Sequence, residues 1–272
     1  MADSSPIRGF VRFLASEVGL VLGRRRNQAG LVVLAAVPVM MAFAIRSAGD
    51  GVFGSILAGN GLIVPIGALI AEAPFFLPLA VSMLAGDAIA GEAHQGTLRY
   101  LLAVPAGRTR LLAVKLLSLF AGCLIGVGII GVVGTLMGVV MLGAGPMITL
   151  SGSQLGFGAA LGRVALMYLY YAALLAGFAA LGLFVSTLTE QPLGATVAIM
   201  VVNILGWIAE AIEQLDWLHP WLLTHWMTSF TDLMSEPMLT TNVSRGLWLA
   251  LGYVAVFTLA AWARFTTRDV TS

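Results

Sequence analysis

The reactive side chains of this chain are few, and their spacing excludes most chemistry. A phosphate-binding loop needs a glycine-rich turn followed by lysine and then serine or threonine. The single lysine, Lys115, is flanked instead by Val114 and Leu116. His94, His219 and His225 fit no His-Glu-x-x-His zinc pattern. Ser151-Gly152-Ser153 lacks a Gly-x-Ser-x-Gly elbow and reads as a turn in a glycine-rich loop. One cysteine, Cys123, sits in an apolar run, which leaves no disulfide framework and no cysteine metal cluster. His219 and His225 share a loop with tryptophans; they read as interfacial histidines, with a metal site as the alternative. The expectation is a chain with no catalytic residues, no resident metal and no cofactor of its own. What remains is a pair of carboxylates within apolar sequence, Glu72 and Asp87. A carboxylate at a bilayer centre costs about 2.5–3.5 kcal/mol.

The elements that hold these groups follow from composition. Of 272 residues, 59% are hydrophobic and 10% charged, where a soluble protein carries about 25% charged residues. That excludes a soluble enzyme, and the lack of a large basic patch excludes nucleic-acid binding. A helix crossing hydrocarbon needs about 20 mostly apolar residues. Six stretches qualify, at 28–46, 67–90, 111–142, 160–188, 192–211 and 246–264. The sequence therefore predicts an all-α polytopic membrane protein, one transmembrane domain over residues 1–272. Residues 52–66 are also apolar, and either lengthen the second span or lie at the outer interface. Gly59, Asn60, Gly61 and Pro65 favour the interface.

Orientation follows from the basic residues. With both termini in the cytoplasm, Arg8, Arg12, Arg24, Arg25, Arg26, Arg99, Arg108, Arg110, Lys115, Arg264 and Arg268 lie inside. Only Arg46, Arg163 and Arg245 lie outside. A cleaved signal peptide over residues 1–46 competes, but 27 polar-to-amphipathic residues precede the apolar run, long for such a leader. Within that segment Ile7, Phe10, Val11, Leu14, Val18, Val21 and Leu22 form one helical face, with Arg8, Arg12 and Glu17 off it. This predicts an interfacial helix over 5–26, either an anchor or an elbow that moves the first span.

The loop between the second and third spans is the most informative stretch. Residues 92–103 suit a short helix with Leu98, Leu101 and Leu102 on its apolar face, stopped by Pro105 and Gly107. Such a knob framed by charge is either a docking element for a cytoplasmic partner or a solvated loop. The run Asp87-Ala88-Ile89-Ala90-Gly91, then Glu92, Gly96-Thr97-Leu98-Arg99, Leu101-Leu102, Pro105, Arg108 and Lys115 resembles the ABC-2 type transporter permeases. The six-span order with an N-terminal interfacial helix extends the likeness over the chain.

The resemblance implies a membrane subunit of an ATP-binding-cassette exporter, similar to the type V exporters, in a bacterial cytoplasmic membrane. Two permease subunits, identical or different, would pair within the lipid bilayer. Each would dock a separate cytoplasmic ATPase subunit that carries ATP and Mg. Residues 92–103 would be the coupling helix, with Glu92, Gly96, Thr97, Leu98, Arg99, Leu101 and Leu102 at the contact. Asp87, Arg108 and Lys115 would support it, and Thr189, Glu190 and Gln191 would add a smaller contact.

Polar residues within the spans are candidates for a translocation path. Glu72 faces a water-filled path or reaches the outer headgroups, beside a kink at Pro74 and Pro78. Asp87 is expected to cap, or to pair with Arg108 or Arg99. Tyr168, Tyr170, Tyr171 and Asn203 line a cavity or bond between helices. Gly122-x3-Gly126 and Gly134-x3-Gly138 permit close helix approach, within the subunit or between two. Residues 212–245, with Trp217, Trp221 and Trp226, read as short helices dipping into the outer leaflet. A greasy path with few charges favours a hydrophobic or amphiphilic cargo such as a drug, antibiotic or lipid-like molecule. The rival function is a gradient-driven secondary transporter with Glu72 or Asp87 as carrier.

Overall fold

The computed structural model describes residues 6–48, 59–97, 107–149 and 151–267. Helix α1 (Pro6–Gly23) ends at Arg24, whose extended backbone (φ −68°, ψ 124°) turns the chain into α2 (Arg25–Ser47). The Asn27 side chain donates to the Val21 carbonyl at 2.7 Å and fixes this corner. Then come α3 (Ile63–Glu72), α4 (Phe76–Ala88), α5 (Ala90–His94) and α6 (Arg108–Leu142). A two-residue hairpin, β1 (Met147–Ile148) with β2 (Gln154–Leu155), leads into α7 (Phe157–Leu188). Helix α8 (Pro192–Glu210), the four-residue α9 (Leu223–Trp226) and α10 (Thr241–Thr267) complete the chain.

Among the described residues, five single helices are long and apolar enough to cross a membrane: α2, α6, α7, α8 and α10. Helices α3 and α4 pass the same test together, bent by 57° at a short break. The pair runs from one end of the bundle to the other. The start of α3 lies against Gly138 and Gly143 at the end of α6, while Gly86 in α4 lies against Pro192 and Thr196 at the start of α8. The chain is thus an all-α polytopic membrane protein, with six crossings when the bent pair counts as one. Helix α7 forms the centre: 72% of its most apolar window is buried, against 17% for α2 and for α10.

Several boundaries differ from the sequence reading. The second crossing starts at Ile63 rather than residue 67, because Pro65 sits in the first helical turn, where its missing N–H costs nothing. Leu62 and Val64 are fully buried, so this part of 52–66 packs in the bundle instead of lying at an interface. Residues 51–58 are outside the described set. Helix α10 starts at Thr241, five residues early. The segment before it folds as tight turns at Glu213–Leu215, His219–Trp221 and Ser229–Met234 around α9. It buries Leu223, Trp226, Met227, Phe230 and Leu233 in the core, while Trp217 and Trp221 face outward. On α1, Glu17 is buried and Val11 is 55% exposed, which inverts their expected faces.

The small-residue motifs pack this subunit against itself. A Cβ at Gly138 would stand 2.0 Å from the Gly61 carbonyl oxygen, and one at Gly134 would stand 2.9 Å from Pro65 Cα. They let α6 touch the start of α3 backbone to backbone, the contact that apolar solvent rewards through packing alone. Gly138→Ala is therefore expected to lower stability in detergent by about 1–3 kcal/mol. Gly128→Ala, with open space around it, should be neutral or slightly stabilising. Thermal unfolding of the purified variants checks both.

Candidate functional site

Lys115 lies on α6 with 3% of its side chain exposed. Its ammonium sits 2.6 Å from Glu17 Oε1 on α1 and 3.0 Å from Glu92 Oε1 on α5. A lone buried ammonium would cost several kcal/mol, a penalty that the two carboxylates offset. Arg24, at the corner between α1 and α2, reaches Asp87 Oδ2 on α4 at 3.1 Å and Glu92 Oε1 at 3.9 Å. Arg26 also pairs with Asp87. Three acids and three bases from five helices thus form one cluster at this end of the bundle. Burial pushes the Glu92 carboxyl up, but Lys115, a hydrogen bond from the Thr97 hydroxyl and Arg24 together hold it below the usual carboxylate range.

Local sequence explains the shape of α5. Gly96 adopts φ +68°, open to glycine at little cost. Its N–H bonds to the Ala93 carbonyl at 3.0 Å and that of Thr97 to the Glu92 carbonyl at 3.1 Å, a Schellman stop. Of the expected helix over 92–103, the described part begins two residues earlier, at Ala90, and is interrupted after His94, where Gly96 closes the turn. Leu98, Arg99, Leu101, Leu102 and Pro105 lie outside the described residues. At the other edge of α5, Ser186 on α7 is fully buried. Its hydroxyl accepts from the Ile89 and Ala90 N–H groups at 3.1 and 3.0 Å and donates to the Gly86 carbonyl at 2.9 Å. The α4–α5 joint is thus held from α7 as well as through the ionic cluster.

The remaining candidates fall in two places. Asp87 pairs with Arg24 and Arg26, not with Arg108 as expected. Arg108 instead donates to the Thr266 carbonyl at 2.7 Å, where cations suit the end of α10. Glu190 is exposed on the α7–α8 turn, where the Gln191 N–H bonds to Thr189 Oγ1 at 3.1 Å. An open crevice of about 770 Å³ joins that turn to the cluster, lined by Arg24, Arg25, Arg26, Asp87, His94 and Gln191 among others.

Tyr168, Tyr171 and Asn203 gather around the broken span, and Tyr168 also lines an open crevice between α6 and α7, Asn203 a small pocket with Gly206 and Thr224. Pro78 has no N–H to offer the Pro74 carbonyl four residues back. Asn203 Nδ2 supplies that bond at 2.9 Å. The Tyr171 hydroxyl donates to the Ala73 carbonyl at 2.6 Å and that of Tyr168 to the Pro65 carbonyl at 2.7 Å. Tyr170 donates to the Trp226 carbonyl at 2.8 Å. Glu72, at the break, is fully buried, and neither carboxylate oxygen has a hydrogen-bond partner, so it does not reach the headgroups.

Sequence reasoning missed Glu17, Arg24, Arg26 and Ser186. Glu17 carried a signal: it falls in the stripe of Phe10, Phe13, Leu14, Val18 and Val21 that α1 turns toward the bundle. An acid within an apolar stripe calls for a buried base. Ser186, beside Thr187 at the end of a largely apolar helix, gave none.

A family model described as protein of unknown function (DUF2705) matches residues 68–271. The chain belongs to that family. One curated relative is the probable ABC transporter permease protein NosY of Pseudomonas aeruginosa, 39% identical over 84 residues. That match spans 29% of this chain and 30% of the relative.

Removing one member of the buried triad isolates its energetics. Lys115→Met leaves Glu17 and Glu92 facing one another and is expected to destabilise by about 3–5 kcal/mol. Adding Glu17→Gln and Glu92→Gln should recover part of that loss. Because the folded Glu92 value is depressed, its stabilisation is fully present above the ordinary carboxyl value of 4.5. It is lost as pH falls through the lower folded value. Glu92→Gln should flatten that acid limb in unfolding measured from pH 7 downward.

Proposed function

We propose that this chain is the membrane-spanning permease subunit of an ATP-binding-cassette transporter, powered by a separate ATPase. The observation that carries this reading is the anchored α5 elbow. Glu92 ties it to α1 and α6, and Ser186 ties it to α7. A push on the segment that leaves Thr97 would reach α1, α2, α4 and α6 through hydrogen-bonded charges instead of dissipating in a loop. The partial likeness to a permease supports the same reading, as does the order of residues Glu92 to Lys115.

In this reading the cluster end faces the cytoplasm. Residues 92–103 dock in the ATPase, with a second contact at Glu190. ATP and Mg stay on the ATPase, and two permease subunits, each with an ATPase, complete the transporter. The cargo is a hydrophobic or amphiphilic compound moved outward. In support, a pocket between α2, α4 and α6 has an apolar wall of Leu34, Leu77, Val81, Leu84 and Cys123, with Arg26 and Asn27 also lining it. The gradient-driven alternative keeps one observation in its favour, the unpartnered Glu72. Asp87 is no candidate carrier, since two arginines hold it.

Reconstitution with the cognate ATPase tests the proposal. The chain should raise ATP turnover of its partner, Leu98→Asp should abolish co-purification, and Glu92→Ala should reduce stimulated turnover several-fold while the complex persists. Cargo movement in vesicles containing this chain alone, lost on Glu72→Gln, would overturn it in favour of the gradient-driven reading.

A further inference from the structure

At the end of the bundle opposite the ionic cluster, residues from three successive elements converge. Glu210 is the last residue of α8, His219 opens a tight turn and His225 lies in α9. His225 Nδ1 is 3.0 Å from Glu210 Oε2. The two imidazoles stack with centroids 6.0 Å apart and planes 27° from parallel. One ligand atom from each of the three residues falls within 4.8 Å of the others.

The surroundings organise these groups as ligands. His219 Nε2 is 2.9 Å from the Ala209 carbonyl oxygen. A carbonyl only accepts, so Nε2 carries the proton and Nδ1 presents its lone pair. Metal-binding imidazoles are oriented in this way, with the far nitrogen fixed on a carbonyl or carboxylate. His219 Nδ1 looks toward Asp216 Oδ1 at 3.5 Å. Glu210 Oε1 is buried with no hydrogen-bond partner, so this carboxylate retains an unused acceptor. Trp226 stands edge-on to His225, with centroids 4.7 Å apart, and walls one side.

We propose that Glu210, His219 and His225 form a binding site for a divalent transition-metal ion of the Zn²⁺ class. Two imidazoles and one carboxylate suit such ions, whereas Mg²⁺ and Ca²⁺ take oxygen ligands. Three protein ligands leave a fourth position for water or for Asp216. Bonds of about 2.0–2.2 Å put tetrahedral donors about 3.4 Å apart, so the side chains close inward on binding. The ion would then clamp the α9 segment onto the end of α8. The site is independent of the ATPase proposal.

The test is metal binding by the full-length protein in lipid nanodiscs, stripped of metal and titrated with Zn²⁺ by calorimetry, with Co²⁺ absorption as a spectroscopic probe. One Zn²⁺ per chain is expected, with no comparable uptake of Mg²⁺. Since even outer partners of a metal site contribute about tenfold or more, His225→Gln and Glu210→Gln should each weaken binding at least about tenfold. His94→Ala, at the other end of the bundle, should leave it unchanged. Gel filtration follows the fold of each variant, and Glu210→Gln keeps an acceptor for His225 should larger truncations unfold. Wild-type uptake no tighter than that of the His219→Ala/His225→Ala double variant, or uptake that follows His94, would overturn the assignment.

Discussion

An ammonium shut away from water must be answered by charge. Lys115 meets this condition with two carboxylates brought from different parts of the chain, Glu17 before the first span and Glu92 after the second. Neither partner lies on its own helix. The pairing therefore exists only when α1, α5 and α6 are docked together, and it couples their positions. Arg24 and Arg26 extend the same logic to Asp87, so the corner of α1–α2 and the end of α4 join the set. Everything proposed for this end of the molecule rests on that shared charge balance.

The opposite constraint acts inside the bundle, where unbonded backbone groups have no water to turn to. The second crossing breaks at residues 73–75, and the proline at position 78 removes a donor that a continuous helix would have supplied. Side chains from the neighbouring crossings fill the need: Tyr171 from α7 and Asn203 from α8 bond the freed carbonyls. These bonds stabilise the break. Helix α4 links this break at one end to the ionic cluster at the other. Glu72, alone in lacking a partner among the carboxylates of that crossing, stands where the two halves meet.

The histidine-rich end shows how far tertiary placement extends the meaning of residues already noticed. His219 and His225 stood out by type, and beside the tryptophans of their loop they read as interfacial imidazoles, with a metal site as the alternative. Glu210 joins them only because the tight turns after α8 fold back on its last residue.

The number of crossings was legible in the sequence because hydrocarbon imposes a length and an apolarity on each helix, and no distant contact is needed to read them. The break at Pro74 was legible for the same local reason, a missing donor. The extent of α5 was open to local reading too, since Gly96 closes it, yet the apolar pattern beyond masked that stop. Which charge answers which was not legible: Asp87 chose Arg24 and Arg26 over Arg108, and Glu17 turned inward. Pairing depends on where helices distant in sequence come to rest, and only their packing, set by close contacts such as Gly61 on Gly138, decided that.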